Sequence, residues 1–345
     1  MNAELLSLSN APWLYIGAML VKILVVFGLT MLIVAYATWA ERKVIGHMQT
    51  RLGPMMTGWH GLLQPIADGI KLFFKEDIIP TQASKIPFIL APMMILIPSL
   101  ITIAVIPFGA DMVVNVGGKA YAIPLQITDL NIGILYILAM AGLGVYGITL
   151  AGWSSNSKYS LLGGVRASAQ MISYELAAGL SIIAVFMLSE TLSMREIVAQ
   201  QSGSILNWYV WKQPLAFILF LITGTAEINR TPFDMPEAES ELVSGFCTEY
   251  SSMKYALFFM AEYANMIVIA AILSTLFLGG WTGPTPWGPV NMLGKIFAFM
   301  FFLMWIRATF PRVRYDQLMK LGWKVLLPLA LANILVTGIV VVLQQ

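Results

Sequence analysis

Hydrophobic and polar positions along this chain fall into blocks rather than a helical or strand alternation. Eight predominantly apolar runs stand at 13–40, 88–108, 132–153, 168–188, 208–226, 255–280, 291–306 and 325–343. A helix needs roughly 20 such residues to cross a bilayer, so these predict eight transmembrane helices. In the fifth run only residues 213–226 are free of charge. The seventh is short and carries Lys295 near one end, from which a long side chain can snorkel. Outside the runs, Leu62, Leu63, Ile66, Ile70, Phe73 and Phe74 recur at helical spacing over 62–75, with Gln64, Asp68, Lys71 and Lys75 on the other face. That pattern predicts an amphipathic helix lying in the membrane interface, although a helix packed on soluble neighbours would read the same way. No internal repeat, low-complexity segment or long linker divides the chain. The expected fold class is therefore an all-α integral membrane protein, one polytopic domain over 1–345.

The distribution of cations orients these runs. Arg42, Lys43, Arg51, Lys71, Lys75 and Lys85 lie in the first loop, Lys158 and Arg166 in the third, Arg230 and Lys254 in the fifth, and Arg307, Arg312, Arg314 and Lys320 in the seventh. The other loops hold only Lys119, Arg195 and Lys212, with Lys22, Lys295 and Lys324 in or beside the runs. The positive-inside rule then predicts odd-numbered loops in the cytoplasm, the amphipathic helix among them, and both termini outside. Trp281 and Trp287, in a Gly/Pro-rich outer loop, suit an interfacial belt.

Composition agrees: 58% of residues are hydrophobic and 11% charged, too few charges to coat a soluble domain of this length. The single cysteine, Cys247, excludes an internal disulfide and a Cys-rich zinc or iron–sulfur site. The two histidines, His47 and His60, are too few for a His-based metal site, so any redox centre nearby is expected on another chain. No basic segment precedes the first run, which argues for a retained helix rather than a cleaved signal.

Candidate chemistry lies in the carboxylates. The loop after the fifth run holds Glu227, Asp234, Glu237, Glu239 and Glu241, and Glu175 and Glu262 lie inside the fourth and sixth runs. Ionised acids are costly in hydrocarbon, so intramembrane carboxylates read first as parts of an ion or proton route. Glu175 lies about seven residues into its run, roughly 10 Å deep, with Glu262 at similar depth and Glu227 at the same rim. The alternative is an ion pair or a hydrogen-bonded structural acid; no base falls in the inner half of those runs. A second polar group, Glu41-Arg42-Lys43 with Arg51, flanks a turn bearing Gly46, Gly53 and Pro54. The G-x-G-x-x-G at Gly142, Gly144 and Gly147 sits mid-run without the strand–turn–helix context of a phosphate site, and is read as helix packing. The sequon at Asn229 lies on the expected inner face and is set aside.

The blocks Ala40-Glu41-Arg42-Lys43-Val44-Ile45-Gly46 and Arg51-Leu52-Gly53-Pro54 resemble the first-loop signature of the quinone-binding membrane subunits of respiratory complex I, the H-type subunits of bacterial NADH:quinone oxidoreductases. The similarity continues through residues 68–77, Arg166 to Gln170, Ser173-Tyr174-Glu175, Arg230 to Asp234, Pro236 to Glu239, Phe258 to Tyr263 and Arg314 to Gln317, covering nearly the whole chain in order. The resemblance implies a subunit that lines the quinone entry path and begins a proton route. Flavin (FMN) and iron–sulfur clusters would sit on partner subunits of the peripheral arm, and small membrane subunits would adjoin it. Quinone would be the substrate, the bacterial inner membrane the location, and no nucleic acid a partner. Glu41, Arg42, Asp68 and Arg307 would fall in the quinone region. Glu175, Glu227 and Glu262 would form the proton path, and Asp234, Glu237, Glu239 and Glu241 the coupling loop. Lys43 stands where an arginine is often expected. Two other readings fit the residues: the membrane subunit of a complex-I-like hydrogenase, which handles no quinone, and a stand-alone proton-coupled transporter. The transporter would show paired half-repeats with broken helices, and this sequence has none.

Overall fold

In hydrocarbon a backbone must satisfy its own hydrogen bonds, and the apolar runs do so as helices. The computed structural model describes residues 4–5, 11–116, 119–235 and 242–344. The helices are α1 (Pro12–Met48), α2 (Gln64–Phe74), α3 (Lys85–Thr102), α4 (Gly133–Ser154), α5 (Lys158–Ser189), α6 (Met194–Gln200), α7 (Tyr209–Lys212), α8 (Pro214–Glu227), α9 (Ser252–Phe277), α10 (Gly288–Thr309), α11 (Tyr315–Leu321) and α12 (Leu327–Gln344). A π-helical turn, Gly322–Leu326, joins α11 to α12. Strands β2 (Met112–Val116) and β3 (Lys119–Ile123) form an antiparallel pair in the loop after α3, with β1 (Glu4–Leu5) parallel to β3. The alternating residues around Gly117 and Gly118 carry a hairpin signal that the membrane pattern overshadowed.

Among the described residues, seven helices are long and apolar enough to cross a membrane: α1, α3, α4, α5, α9, α10 and the run from α11 into α12. The fifth expected span, 208–226, is interrupted, and its apolar helix covers only Pro214–Glu227. Pro214 starts α8 afresh because the residue before a proline avoids the α region, and Gln213 stands outside that region at φ −133°, ψ 58°. At 14 residues α8 is about 21 Å long, short of the roughly 30 Å hydrocarbon core. The missing length is supplied by α6, a short turn and α7. Buried Gln201 donates to Thr275 O and Leu276 O at the end of α9 and accepts from Tyr209 N and Gly279 N. Gln213 donates to Thr337 Oγ1 and accepts from Asn333 Nδ2 on α12. These amides satisfy the broken backbone within the bundle. Beside them a cleft of about 520 Å3 is lined by Trp208, Trp281, Thr285 and Asn291.

The helix ends at Met48, Lys85, Ser154, Lys158, Glu227, Ser252 and Thr309 share one side, here the basic side. Ser84 N bonds Ser154 O, Ser252 Oγ bonds Leu72 O and Val313 N bonds Pro232 O across it. Central α9 is the most enclosed long helix and α1 the least. The amphipathic helix forms as expected: Leu63, Ile66, Ile70 and Phe73 are exposed and Asp68 is turned to a polar neighbour. Lys22 lies in the half of α1 away from the basic side. It bonds the carbonyls of Pro124 and Gln126, in a loop that in turn holds Val105 at the end of α3. It is thus level with the helix ends opposite the basic side.

The three glycines of the rejected phosphate motif play different parts. A Cβ on Gly147 would collide with Ile95 and with Ala91 O of α3, so this glycine is helix packing as expected. Gly142 instead leaves room for Glu175, whose Oε1 would lie 2.9 Å from an added Cβ, and a Cβ on Gly144 would meet nothing within 4 Å. The tightest approach of α4 to α5 is at Gly152, where a Cβ would come within 2.6 Å of Ser160 O. We expect Gly152→Ala to cost about 1–3 kcal/mol through overpacking, seen as a lower heat-inactivation midpoint of the purified assembly, while Gly144→Ala leaves that midpoint unchanged.

Candidate functional site

Successive residues of a helix point about 100° apart, so Glu41 and Arg42 at the basic end of α1 face different surroundings. Glu41 turns into the bundle and is 4% exposed. Its carboxylate accepts from Tyr263 Oη at 2.8 Å, pairs with Arg230 Nη1 at 2.8 Å, and pairs with Arg307 Nη1 near the end of α10. Arg230 reaches in from the loop after α8. Its Nε donates to Glu262 Oε1 at 2.6 Å, and its guanidinium lies over the Tyr263 ring, 4.4 Å from the centroid. The charges therefore alternate along a series, Arg307, Glu41, Arg230, Glu262, drawn from α10, α1, a loop and α9.

Burying one ion costs several kcal/mol, and such groups persist only when every charge meets its opposite in good geometry. The alternation meets that condition, since the two acids and two bases cancel. Burial by itself would lower the Arg230 pKa, but Glu262 and Glu41 hold it above its ordinary value, so Arg230 is a permanent cation.

Arg42 turns outward and is half exposed. It meets Asp68 of α2 at 2.8 Å, and Asp68 also accepts from Gln64 Nε2 at 3.0 Å, with Lys71 3.7 Å away. The four residues expected in one region thus divide into buried Glu41 with half-buried Arg307, and a more exposed pair, Arg42 with Asp68. Both lie at the basic end of α1.

The three carboxylates expected as one series also divide. Glu262 belongs to the charge series: no base lies in the inner half of the helices themselves, but Arg230 reaches Glu262 from the loop after α8. The loop folds back into the bundle, which a count along the helices does not register. Glu175 lies against Gly142, and Glu227 lines a closed cavity of about 40 Å3 with Ser99, Thr102, Gly144 and Asn265. The volume suits one or two water molecules. Glu175 is close enough to act on Glu227 electrostatically, and among the described residues neither forms an ion pair. Asp234 is half-buried just past Phe233, whose carbonyl, like that of Ala226, accepts from buried Gln170. Glu237, Glu239 and Glu241 lie outside the described residues. Sequence reasoning did not single out Arg230 or Tyr263; the signal available was their place in the blocks Arg230 to Asp234 and Phe258 to Tyr263.

A family model described as NADH dehydrogenase matches residues 21–338. The NADH-quinone oxidoreductase H subunit 1 of Geobacter sulfurreducens is 65% identical over 98% of this chain and 99% of its own length. The chain belongs to the family of NADH-quinone oxidoreductase H subunits. Other relatives are the H subunit 2 of Geobacter metallireducens, 65% identical over 99% of both chains, and the H subunit of Flavobacterium psychrophilum, 51% identical over 94% of this chain and 96% of its own. In this family member the buried charge series rests on one residue, since Arg230 touches both acids. Arg230→Gln leaves Glu262 without its counter-ion and Glu41 with Arg307 alone, and we expect a loss of about 3–5 kcal/mol, the usual cost of breaking a buried pair from one side. Adding Glu262→Gln to that variant should restore part of it. A double-mutant cycle on heat inactivation checks this; additive losses would mean that the two side chains are not coupled.

Proposed function

We propose that this chain is the membrane subunit of a proton-translocating NADH:quinone oxidoreductase in which quinone chemistry meets the proton route. The flavin and iron–sulfur clusters sit on partner subunits, and small membrane subunits flank the chain. The basic side faces the cytoplasm of a bacterial inner membrane, with both termini periplasmic. One domain carries these functions throughout its length.

A single observation carries the reading: the buried series from Arg307 through Glu41 and Arg230 to Glu262. It joins the end of α1, where a substrate from the bilayer would arrive, to an acid inside α9. The exposed apolar face of α2, with Leu63, Ile66, Ile70 and Phe73, offers a long-tailed quinone an entrance at the membrane surface. Arg42, Asp68, Glu41 and Arg307 then supply the polar inner lining, arginine keeping its charge there and donating several hydrogen bonds.

Coupling follows from electrostatics at short range. A change of charge or hydrogen bonding beside Glu41 alters its hold on Arg230, and Arg230 is the counter-ion of Glu262. In a low-dielectric interior each adjustment is strongly felt by the next group. Glu262 thus passes the disturbance toward Glu227 and Glu175, which can take up or release protons, Glu227 beside the small cavity that Ser99, Thr102 and Asn265 also line. Asp234, Glu237, Glu239 and Glu241 form the loop that links this region to the peripheral arm.

Two measurements test the reading. Arg307→Ala or Arg42→Ala removes a charge-assisted hydrogen bond of about 1.5–3 kcal/mol, so quinone reductase activity should fall roughly tenfold or more. Electron transfer from NADH to a hydrophilic artificial acceptor should hold. Equal loss of both would point to failed assembly, and unchanged quinone kinetics would remove these arginines from the site. Glu175→Gln preserves shape but not titration, so proton pumping in vesicles should drop sharply while the assembled complex survives. Fully coupled pumping in that variant would exclude Glu175 from the path.

A further inference from the structure

No residue of α2 is buried, and its apolar residues Ile66, Ile70 and Phe73 are exposed. A helix that buries no face takes its position from polar contacts along its length and at its ends. On the α1 side these are the Asp68–Arg42 pair at 2.8 Å and, just before the helix, the bond from Trp39 Nε1 to His60 O at 3.3 Å. At the C-terminal end they come from the start of α9. The last four carbonyls of a helix have no partner within it, and the Ser252 hydroxyl donates to one of them, Leu72 O, at 3.0 Å. Ser251 Oγ donates to Glu76 O at 3.2 Å and accepts from Ile78 N at 3.0 Å. Lys254 pairs with Asp77 at 2.9 Å.

Two of these residues are poor choices for α9 itself. Ser252 is buried and stands at φ +56°, a left-handed conformation uncommon for a residue with a side chain. Lys254 places a cation in the first turn of α9, against the helix dipole. Glycine would suit the first position and an acid the second. Both residues suit α2, because glycine has no hydroxyl for Leu72 O and an acid would repel Asp77.

The clamp is firmly seated. Lys254 lies over the Phe88 ring, 5.5 Å from its centroid, and fully buried Phe88 stacks on Tyr250 at 4.0 Å. Glu262 follows Ser252 by ten residues, about 15 Å along the same helix. One rigid element thus carries both the hold on α2 and an acid of the buried charge series.

We propose that Ser252 and Lys254 are positioning residues for quinone admission, fixing α2 so that its apolar face receives the tail of a long-tailed quinone. The proposal rests on the reading of α2 as the entrance. With the clamp loosened, α2 spends less time in the competent position, and apparent affinity falls by that fraction. The loss is confined to quinones whose tail lies along α2. Turnover of bound quinone is unaltered, because Arg42 and Asp68 keep their own pairing.

The test compares KM and kcat of the whole purified complex for a quinone with a long apolar tail and for the same headgroup without one. Ser252→Gly removes the hydroxyl but suits the backbone, and Lys254→Met removes the charge. Each should raise the long-tailed KM about fivefold, the factor that one hydrogen bond supplies, with the tailless KM and both kcat values unchanged. Asp77→Asn, a change at the half-exposed partner, should match Lys254→Met, and Lys254→Arg should keep the native KM. A long-tailed quinone with a photoreactive group on its tail should label α2 in the native complex and label it less in Ser252→Gly and Lys254→Met. No label on α2 in the native complex would remove the entrance reading and this proposal with it. Label on α2 with a native long-tailed KM in the glycine, methionine and asparagine variants, or an equal rise for tailed and tailless quinones, would overturn the proposal alone.

Discussion

The Arg230 guanidinium is the constraint from which the basic side of the bundle takes its shape. A charge carried that far from water must be answered by opposite charge and hydrogen bonds, and this one is answered from two helices at once: Glu41 of α1 and Glu262 of α9. The requirement draws the loop after α8 inward. It also holds α1, otherwise poorly packed, against the centre, and through Glu41 it recruits Arg307 of α10. Tyr263 serves the same end twice, donating to Glu41 and offering its ring to the cation. The helices gather around a neutral but highly charged knot.

That arrangement has a functional logic independent of sequence similarity. A network with equal numbers of acids and bases has little net charge to lose, but each member depends on its neighbours. A disturbance at one end changes the balance at the other with no large movement of the backbone. Glu175 and Glu227 lie apart from this knot, without ion pairs among the described residues, and Glu227 lines a cavity of water-sized volume. One group of carboxylates is tied and the other is untied.

Much of the architecture was legible in the sequence because lipid imposes a simple rule on it. Apolar length gave seven of the expected spans, and helical spacing gave α2. The fifth expected span is interrupted for a local reason: Pro214 divides it into α7 and the shorter apolar α8, and two buried glutamines bridge the break in a way that only the folded neighbours specify. The hairpin in the loop after α3 was hidden because a short period-two pattern is faint beside membrane-length runs. At the site, the acids were found because they are rare in such surroundings. Arg230 was not, since a cation in a loop reads as a topology signal until the loop is seen to fold inward. Likewise, nothing in the spacing separates Arg42 from Arg307; only the helix rotation at Glu41 puts one outside and the other within.

The brevity of α8 has an electrical consequence. Where that helix stands, the continuous hydrocarbon-like barrier is about 21 Å instead of roughly 30 Å, and the remainder is occupied by hydrogen-bonded amides and a cleft of about 520 Å3. A membrane potential falls mainly across low-dielectric material, so its drop is compressed into the shorter stretch. Each charge still exchanges about 2.3 kcal/mol with 100 mV in crossing, but the gradient along α8 is steeper than along its neighbours. Glu227 is the last residue of α8, at the basic end of that shorter helix.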